Sequence, residues 1–117
     1  MESTKTVLVI EDTWELRELL RGLLEDHGFK VRCCEDGWAA LAAAAESSFH
    51  VIITDYHMPN MNGIEATKRL RDRFPASFII GLSSDDMGKA FFAAGADAFL
   101  LKPYRNSDIL SLMTVKK

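Results

Sequence analysis

The sequence of 117 residues has little cysteine, no long hydrophobic run and no excess of positive charge. Its two cysteines, Cys33 and Cys34, are adjacent, so they fit neither an ordinary disulfide nor a spaced metal site, and a reducing cytoplasmic compartment is the simplest interpretation. The longest apolar runs, such as residues 39–45, are too short to cross a bilayer, and residues 1–5 lack the pattern of a secretory signal. The formal net charge is −3 and basic residues alternate with acidic ones, which argues against direct binding of nucleic acid.

Short apolar runs alternate with segments of helical periodicity along the chain. With 48% hydrophobic and 26% charged residues the sequence is typical of a globular protein, and its length suits one domain, residues 1–117. The predicted strands are Thr6–Ile10, Phe29–Cys34, Val51–Thr54, Phe78–Leu82 and Ala98–Leu101. Four of them contain continuous apolar stretches, as strands covered on both faces do, whereas the second alternates apolar and charged residues and is predicted to lie at an edge.

Segments with helical spacing separate these strands and follow the last one. Leucines at helical spacing predict a first helix that ends near His27-Gly28, and an alanine-rich segment predicts the second. The five predicted helices include Leu16–Leu24, Trp38–Ala45, Ile64–Phe74 (ended by Pro75), Asp85–Ala94 and Ser107–Thr114. The repeated strand–helix rhythm predicts an α/β fold, with a parallel sheet covered by helices on both faces and joined by right-handed crossovers.

Three carboxylates lie where two of the predicted strands end. Glu11 and Asp12 follow the first strand, and Asp55 follows the third. Because the carboxyl ends of parallel strands form the ligand-binding edge of open α/β sheets, we expect the three to converge. Such a cluster repels itself unless a cation neutralises it, and Mg²⁺ binds carboxylates together with waters and phosphate. The cluster therefore predicts an Mg²⁺ site with Asp55 as a nucleophile for phosphoryl groups, although Asp12 alone could equally cap the helix that follows it.

Two more polar residues end strands at the same edge. Ser83 follows the fourth strand and Lys102 follows the fifth. A phosphoryl group on Asp55 needs cations and donors around its oxygens, and Mg²⁺, Lys102 and Ser83 would supply them. Taken singly, Lys102 would be a solvated lysine at a strand end and Ser83 a helix N-cap, so it is the combination that favours a phosphoryl site.

The set of motifs resembles the receiver domain of two-component response regulators. It consists of Glu11-Asp12, the loop Asp-Tyr-His-Met-Pro-Asn-Met-Asn-Gly that starts at Asp55, Ser83, and Lys102-Pro103. The resemblance covers essentially the whole chain and implies a doubly wound, flavodoxin-like fold with five strands in the order 2-1-3-4-5. It also implies that Asp55 takes a phosphoryl group from the phosphohistidine of a sensor histidine kinase or a histidine phosphotransfer protein. The protein would then be a signalling switch that catalyses only its own phosphorylation and dephosphorylation, and not a conventional enzyme.

The resemblance also implies a role for each site residue. Lys102 would pair with the phosphoryl oxygens, Ser83 would move to hydrogen-bond them, and Phe99 would be the aromatic residue that follows Ser83 inward. The bond before Pro103 matches the family's cis-proline position. The Mg²⁺ ligands would be Glu11, Asp12, Asp55 and the backbone carbonyl of His57.

Several residues have competing interpretations. Phe99 could be only a core aromatic residue. His57 could either tune the access of hydrolytic water or be an exposed loop histidine, and we favour the exposed loop histidine. Trp14 and Trp38 are interpreted as packing residues and not as binding platforms, although Trp14, close to Asp12, could flank the pocket. Neighbouring positions on a helix point about 100° apart, so one ring of Phe91-Phe92 is expected to be exposed.

The stretch from Ser83 to Gly95 departs from the family pattern. It spans twelve positions, about one helical turn fewer than a typical receiver has, and it contains Gly88. A glycine inside a helix costs roughly 1 kcal/mol relative to alanine, so a short fourth helix is predicted. Receivers often bind partners through the surface of the fourth helix, fifth strand and fifth helix. Because of this departure, the resemblance does not assign that surface to a downstream target or a homodimer partner of this chain.

Three other functions compete with the phosphoacceptor switch. A pseudo-receiver would share the fold and act as a protein-interaction module, but it has no need of the intact acids, acceptor, hydroxyl and lysine. A haloacid-dehalogenase-like hydrolase would want a second aspartate two places after the nucleophile, where His57 stands. A flavodoxin-like cofactor carrier would want a Gly/Thr-rich phosphate loop after the first strand, where the sequence is Glu11-Asp12-Thr13-Trp14. The phosphoacceptor switch is therefore the leading hypothesis.

Overall fold

The alternating strands and helices build one parallel sheet with helices on both faces. The computed structural model describes the backbone of residues 5–115 and the side chains of residues 5–113. All neighbouring strands pair in parallel in the order β2-β1-β3-β4-β5, which confirms the predicted fold and the edge position of the second strand. The strands are β1 (Thr6–Ile10), β2 (Lys30–Cys34), β3 (Val51–Asp55), β4 (Phe78–Ser83) and β5 (Ala98–Leu101).

Local signals set the ends of several helices. The five helices are α1 (Trp14–Asp26), α2 (Gly37–Glu46), α3 (Gly63–Arg73), α4 (Gly88–Ala94) and α5 (Asn106–Val115). The side chains of Asp36 and Asn62 accept hydrogen bonds from backbone amides in the first turns of α2 and α3. Gly95 ends α4 with a φ of 113°, in the left-handed region that favours glycine. Within residues 5–115, no helix is both long enough and apolar enough to cross a bilayer.

Two apolar clusters cover the two faces of the sheet. Leu8 and Ile10 of β1 belong to the cluster shared with α2, α3 and α4, whereas Val7 and Val9 belong to the cluster shared with α1 and α5. Successive residues of a strand point to opposite faces, which explains this division. Cys33-Cys34 divides in the same way, and both thiols are free. The two thiols therefore lie on opposite faces of the sheet.

The fourth helix is short, as predicted, but it begins three residues later than the sequence indicates. The prediction was a helix over Asp85–Ala94, whereas α4 has 7 residues and starts at Gly88. The Asp85 amide donates to the Ser83 hydroxyl (3.0 Å), and the Met87 amide donates to the Asp85 carbonyl (2.8 Å). These local bonds hold residues 84–87 in a loop.

Two glycines let α4 approach the sheet closely. A Cβ on Gly81 of β4 would overlap the ring of Phe91, and a Cβ on Gly88 would lie 3.3 Å from the ring of Phe99. Gly88 is the first residue of α4, so the expected cost of a glycine inside a helix does not apply. Phe91 is fully buried and Phe92 is 51% exposed, which confirms the expected division of this pair.

The interpretation of the two tryptophans as packing residues is wrong. Trp14 is 62% exposed and Trp38 is 52% exposed. The helical repeat places Trp38 on the opposite side of α2 from the buried Ala40 and Ala44. Its ring lies under the guanidinium of Arg69 instead, 5.3 Å from the ring centroid.

Candidate functional site

The strand ends bring the three predicted carboxylates to one point. Glu11 follows β1 directly and Asp55 ends β3, and the register that pairs Ile10 with Thr54 makes the two emerge side by side. One carboxylate oxygen from each of Glu11, Asp12 and Asp55 lies within 4.8 Å of the other two. The carboxyl edge of the sheet therefore carries a concentrated negative charge.

Two of these acids are buried. Glu11 is 2% exposed and Asp55 is 5% exposed, whereas Asp12 faces solvent. Burial raises the pKa of Glu11 and the charge of Asp55 raises it further, while a hydrogen bond from the Thr13 amide (3.1 Å) and the charge of Lys102 act in the opposite direction. Ionising these groups together is unfavourable without positive charge nearby.

Lys102 supplies part of that charge. Its Nζ lies 2.7 Å from Asp55 Oδ1 and 3.5 Å from Glu11 Oε1. Burial alone would lower the pKa of Lys102, but the hydrogen bond to Asp55 and the two carboxylate charges raise it above its ordinary value, so the ammonium stays charged. The Lys102–Pro103 peptide bond is cis. Lys102 is therefore a partner of the acids, and not a solvated lysine at a strand end.

The Ser83 hydroxyl is held in a turn at the same edge. Ser83 is fully buried, and its Oγ accepts a hydrogen bond from the Asp85 amide (3.0 Å). Because α4 starts only at Gly88, Ser83 is not its N-cap. The Lys102 amide donates to the Ser83 carbonyl (2.8 Å), which ties the ends of β4 and β5 together.

The loop that follows Asp55 returns close to the end of its own strand. The Tyr56 amide donates to the Leu82 carbonyl (2.8 Å), and the Gly63 amide donates to the Tyr56 carbonyl (2.9 Å). A Cβ on Gly63 would collide with the carbonyl oxygen of Asp55, so this approach requires glycine. Asn60 has a φ of 71°, in a left-handed conformation that asparagine tolerates well. These contacts fix the main chain that carries Asp55.

A contact that the sequence did not predict crosses this edge. His57 Nε2 lies 2.8 Å from Asp85 Oδ2, and both side chains are largely exposed. The two residues are 28 positions apart and belong to different loops, so neither spacing nor a motif indicates the pair. The expectation that His57 is an exposed loop residue is confirmed, but its ring has a partner.

Phe99 packs against the apolar cluster that covers the α3 and α4 face of the sheet. It is partly buried, and its ring centroid lies 5.6 Å from that of Phe91. Both the interpretation as a core aromatic residue and the interpretation as an inward-facing switch residue are compatible with this position.

The cluster of acids fits a magnesium ion. Mg²⁺ prefers an octahedron of oxygens at about 2.0–2.1 Å, which places opposite ligand atoms about 4.2 Å apart. The three carboxylate oxygens lie within 4.8 Å of one another, so one ion between them would be within reach of all three side chains. The N-cap of α1 is Thr13, so the alternative that Asp12 caps this helix is wrong.

The chain matches the family model described as response regulator receiver domain over residues 7–114. It belongs to the response regulator receiver domain family. It is 33% identical over 114 residues to the sensor histidine kinase AruS of Pseudomonas aeruginosa, covering 92% of this chain and 11% of that protein. It is 32% identical over 110 residues to the response regulator MprA of Mycobacterium sp. (strain KMS), covering 92% of this chain and 48% of that protein. The chain therefore spans less than half the length of either relative.

Solved structures of receivers superpose on the chain over almost its whole length. The chemotaxis response regulator CheY4 of Vibrio cholerae has a TM-score of 0.91 and 29% identity, covering 98% of this chain and 100% of that one. The response regulator TrrA of Thermotoga maritima, in complex with Mg²⁺ and BeF, shares the fold with a TM-score of 0.90 and 23% identity. The superposition covers 97% of this chain and 100% of that one. The chain is thus a receiver domain of two-component signalling. Receiver domains are signalling switches and not conventional enzymes, and they typically bind Mg²⁺ at an acidic pocket.

Proposed function

We propose that this receiver is an active phosphoacceptor: Asp55 takes a phosphoryl group, in the presence of Mg²⁺, from the phosphohistidine of a sensor histidine kinase or a histidine phosphotransfer protein. The observation that carries the proposal is the burial of Asp55, only 5% exposed, at 2.7 Å from the Lys102 ammonium and beside two further acids. A surplus of buried negative charge is costly for a purely structural site. The same surplus of negative charge suits a site that binds a cation, which in turn can bind a phosphoryl group.

In the proposed transfer, a carboxylate oxygen of Asp55 attacks the phosphorus atom. The new P–O bond forms as the P–N bond of the donor breaks, and the bonding electrons leave with the imidazole nitrogen, which takes up a proton from solvent. Mg²⁺ would be held by Glu11, Asp12, Asp55 and the His57 carbonyl. It would supply positive charge at the phosphoryl oxygens.

Residues around the acceptor would then hold the phosphoryl group. The Lys102 ammonium, already directed at Asp55, would pair with a phosphoryl oxygen, and the Ser83 hydroxyl would move to donate a hydrogen bond to another. Phe99 would follow Ser83 inward, and the changed surface would alter the binding of a downstream partner.

We also infer a cytoplasmic location and a protein partner. The free thiols of Cys33 and Cys34 fit a reducing compartment. A net charge of −3 disfavours direct contact with nucleic acid, so the domain would act by binding its kinase and a protein target.

Intact-mass analysis after incubation with Mg²⁺ and acetyl phosphate tests the proposal. We expect one base-labile phosphoryl group on the wild type and none on Asp55→Asn, because the amide cannot act as the nucleophile. Asp72→Asn, an exposed change on α3, is the matched control and should be phosphorylated like the wild type. No adduct on folded wild type would favour a pseudo-receiver, and an undiminished adduct on Asp55→Asn would place the acceptor elsewhere.

A further inference from the structure

A side-chain contact joins the loops that follow β3 and β4, beyond the end of the strand that carries the acceptor. The contact is the pair of His57 and Asp85, with 2.8 Å between Nε2 and Oδ2. Asp55 lies opposite Leu82 in the register of the two strands, and the Tyr56 amide donates to the Leu82 carbonyl. The strands therefore end side by side, and the pair bridges the two loops just beyond them.

Asp85 connects this bridge to two other parts of the molecule. Its amide donates to the Ser83 hydroxyl (3.0 Å), and its carbonyl accepts from the Met87 amide (2.8 Å). Met87 precedes the first residue of α4 and packs against an apolar cluster of the core. A displacement of Asp85 would therefore move the Ser83 hydroxyl and the start of α4 together.

The other end of α4 is fixed. The guanidinium of Arg71 donates to the Gly95 carbonyl at the end of α4 through Nε (2.9 Å) and Nη2 (2.7 Å). The fully buried ring of Phe91 holds the middle of the helix against Gly81. In a helix of 7 residues, this leaves the amino-terminal end as the part that can follow Asp85.

We propose that the pair of His57 and Asp85 is a latch: it holds the Ser83 turn and the start of α4 in the conformation described here, and it opens when Asp55 is phosphorylated. The inference rests on the proposed function of Asp55 and Ser83. A phosphoryl group brings three acceptor oxygens and negative charge. Its oxygens compete with the Asp85 carboxylate for the Nε2–H of His57, and its charge repels that carboxylate.

The exposure of the pair suits a latch that must open. The side chains of His57 and Asp85 are 59% and 62% exposed. Exposed pairs of this kind are weak, so this one would bias a population of two conformations by about two- to fivefold and would not lock either of them. Removing the latch should therefore ease the transition without changing the acceptor.

Beryllofluoride with saturating Mg²⁺ is the probe for the test, with binding followed by calorimetry on the full chain. We expect His57→Ala and Asp85→Ala each to tighten beryllofluoride binding about two- to fivefold, and the double variant to gain no more than either single variant. His57→Gln retains the backbone carbonyl and an N–H donor at a similar reach, so it should reverse the gain in affinity seen with His57→Ala. Glu46→Gln, which changes the exposed Arg32–Glu46 pair (3.2 Å), is the matched control and should bind like the wild type.

The two single variants distinguish a latch from a simple charge effect. If Asp85 acted only through its negative charge, His57→Ala would leave that charge unscreened and would weaken beryllofluoride binding. Weaker or unchanged binding by His57→Ala, or additive effects in the double variant, would overturn the latch. Amide chemical shifts of residues 88–94 provide a second readout, because without beryllofluoride both single variants should shift toward the bound wild type.

The proposed function has its own control in this experiment. Asp55→Asn should not bind beryllofluoride. If the wild type also fails to bind beryllofluoride, the proposed acceptor role of Asp55 is wrong, and the latch proposal, which depends on it, is wrong as well. If the wild type binds through Asp55 and the latch variants do not differ from it, only the latch is wrong.

Discussion

Charged side chains lie at both ends of the strands, at the amino edge and at the carboxyl edge of the sheet, but their charges are balanced differently. At the amino edge, where the strands begin, one arginine and one aspartate make directed contacts with each other and with the backbone. Arg71 Nη2 donates to Asp97 (2.6 Å), and Asp97 also accepts from the Ile79 amide (2.9 Å). The remaining contacts of Arg71 are hydrogen bonds to the backbone carbonyls of Phe74, Pro75, Ser77 and Gly95.

At the carboxyl edge, three carboxylates lie close to one lysine. Glu11, Asp12 and Asp55 lie within 4.8 Å of one another, and Lys102 reaches only two of them. The amino edge is balanced by the protein itself, so its polar groups serve the fold. The carboxyl edge has a surplus of negative charge, which a bound cation would balance. The two clusters therefore differ in charge balance as well as in burial, since the side chains of Arg71 and Asp97 are 22% and 40% exposed whereas Glu11 and Asp55 are buried.

Removing Arg71 should give the largest effect on stability. Arg71→Ala strips the hydrogen bonds that join the ends of α3 and α4 to the starts of β4 and β5, and we expect the free energy of unfolding to fall by about 2–4 kcal/mol. Urea denaturation measures it, and Lys68→Ala, an exposed change on the same helix, should stay within about 0.5 kcal/mol of the wild type. A similarly small loss for Arg71→Ala would mean that the amino edge is not the structural cluster described here.

Mg²⁺ should stabilise the protein through the carboxyl edge alone. At ten times its dissociation constant, an ion that binds only the folded state adds about 1.4 kcal/mol to the free energy of unfolding. Urea denaturation with and without Mg²⁺ should show such an increment in the wild type and in Arg71→Ala. The same Mg²⁺ concentration should have less effect on Asp12→Asn, because this change removes one charged ligand from the cluster. An equal increment in Asp12→Asn would argue against its role as a ligand.

The smallest test makes the same chemical change at both edges. Without Mg²⁺, Asp97→Asn should lower the free energy of unfolding by about 1 kcal/mol, because it weakens charge-assisted hydrogen bonds at a partly exposed site. Asp12→Asn should cause no loss, since it relieves repulsion among three acids. Thermal and urea unfolding of the two variants, side by side, would contradict the comparison if Asp12→Asn proved the more destabilising.

The strands could be predicted because they depend on local sequence, and the convergence of the acids was expected because the carboxyl ends of parallel strands share one edge. β1 and β5 have the predicted bounds, and the strand ends place the acids together as the parallel fold requires. The order of the strands rests on the family resemblance, because an apolar run does not indicate its neighbours. Long-range polar contacts were missed for a different reason. The carbonyls that bind Arg71 belong to residues of any type, and the contact between His57 and Asp85 depends on the directions of two loops.

The start of α4 and the tryptophans were missed because tertiary context overrides periodicity. Hydrogen bonds of Asp85 and Met87 hold a loop where helical spacing predicts the first turn of α4. Trp14 and Trp38 stand near the starts of their helices, away from the faces that contact the sheet. A large apolar side chain indicates burial only when its direction on the helix is known.

The contact of Gly81 with Phe91 has a consequence for how the sequence can change over evolution. The ring of Phe91 fills the volume that a side chain on Gly81 would take. Alanine at position 81 alone would force the ring to move, and a smaller residue at position 91 alone would leave a cavity, which for phenylalanine to alanine costs roughly 3–5 kcal/mol. The two positions therefore share one volume. Relatives with a larger residue at the position that aligns with Gly81 should carry a smaller residue at the position that aligns with Phe91. The side-chain volumes at these two positions of β4 and α4 should therefore vary together.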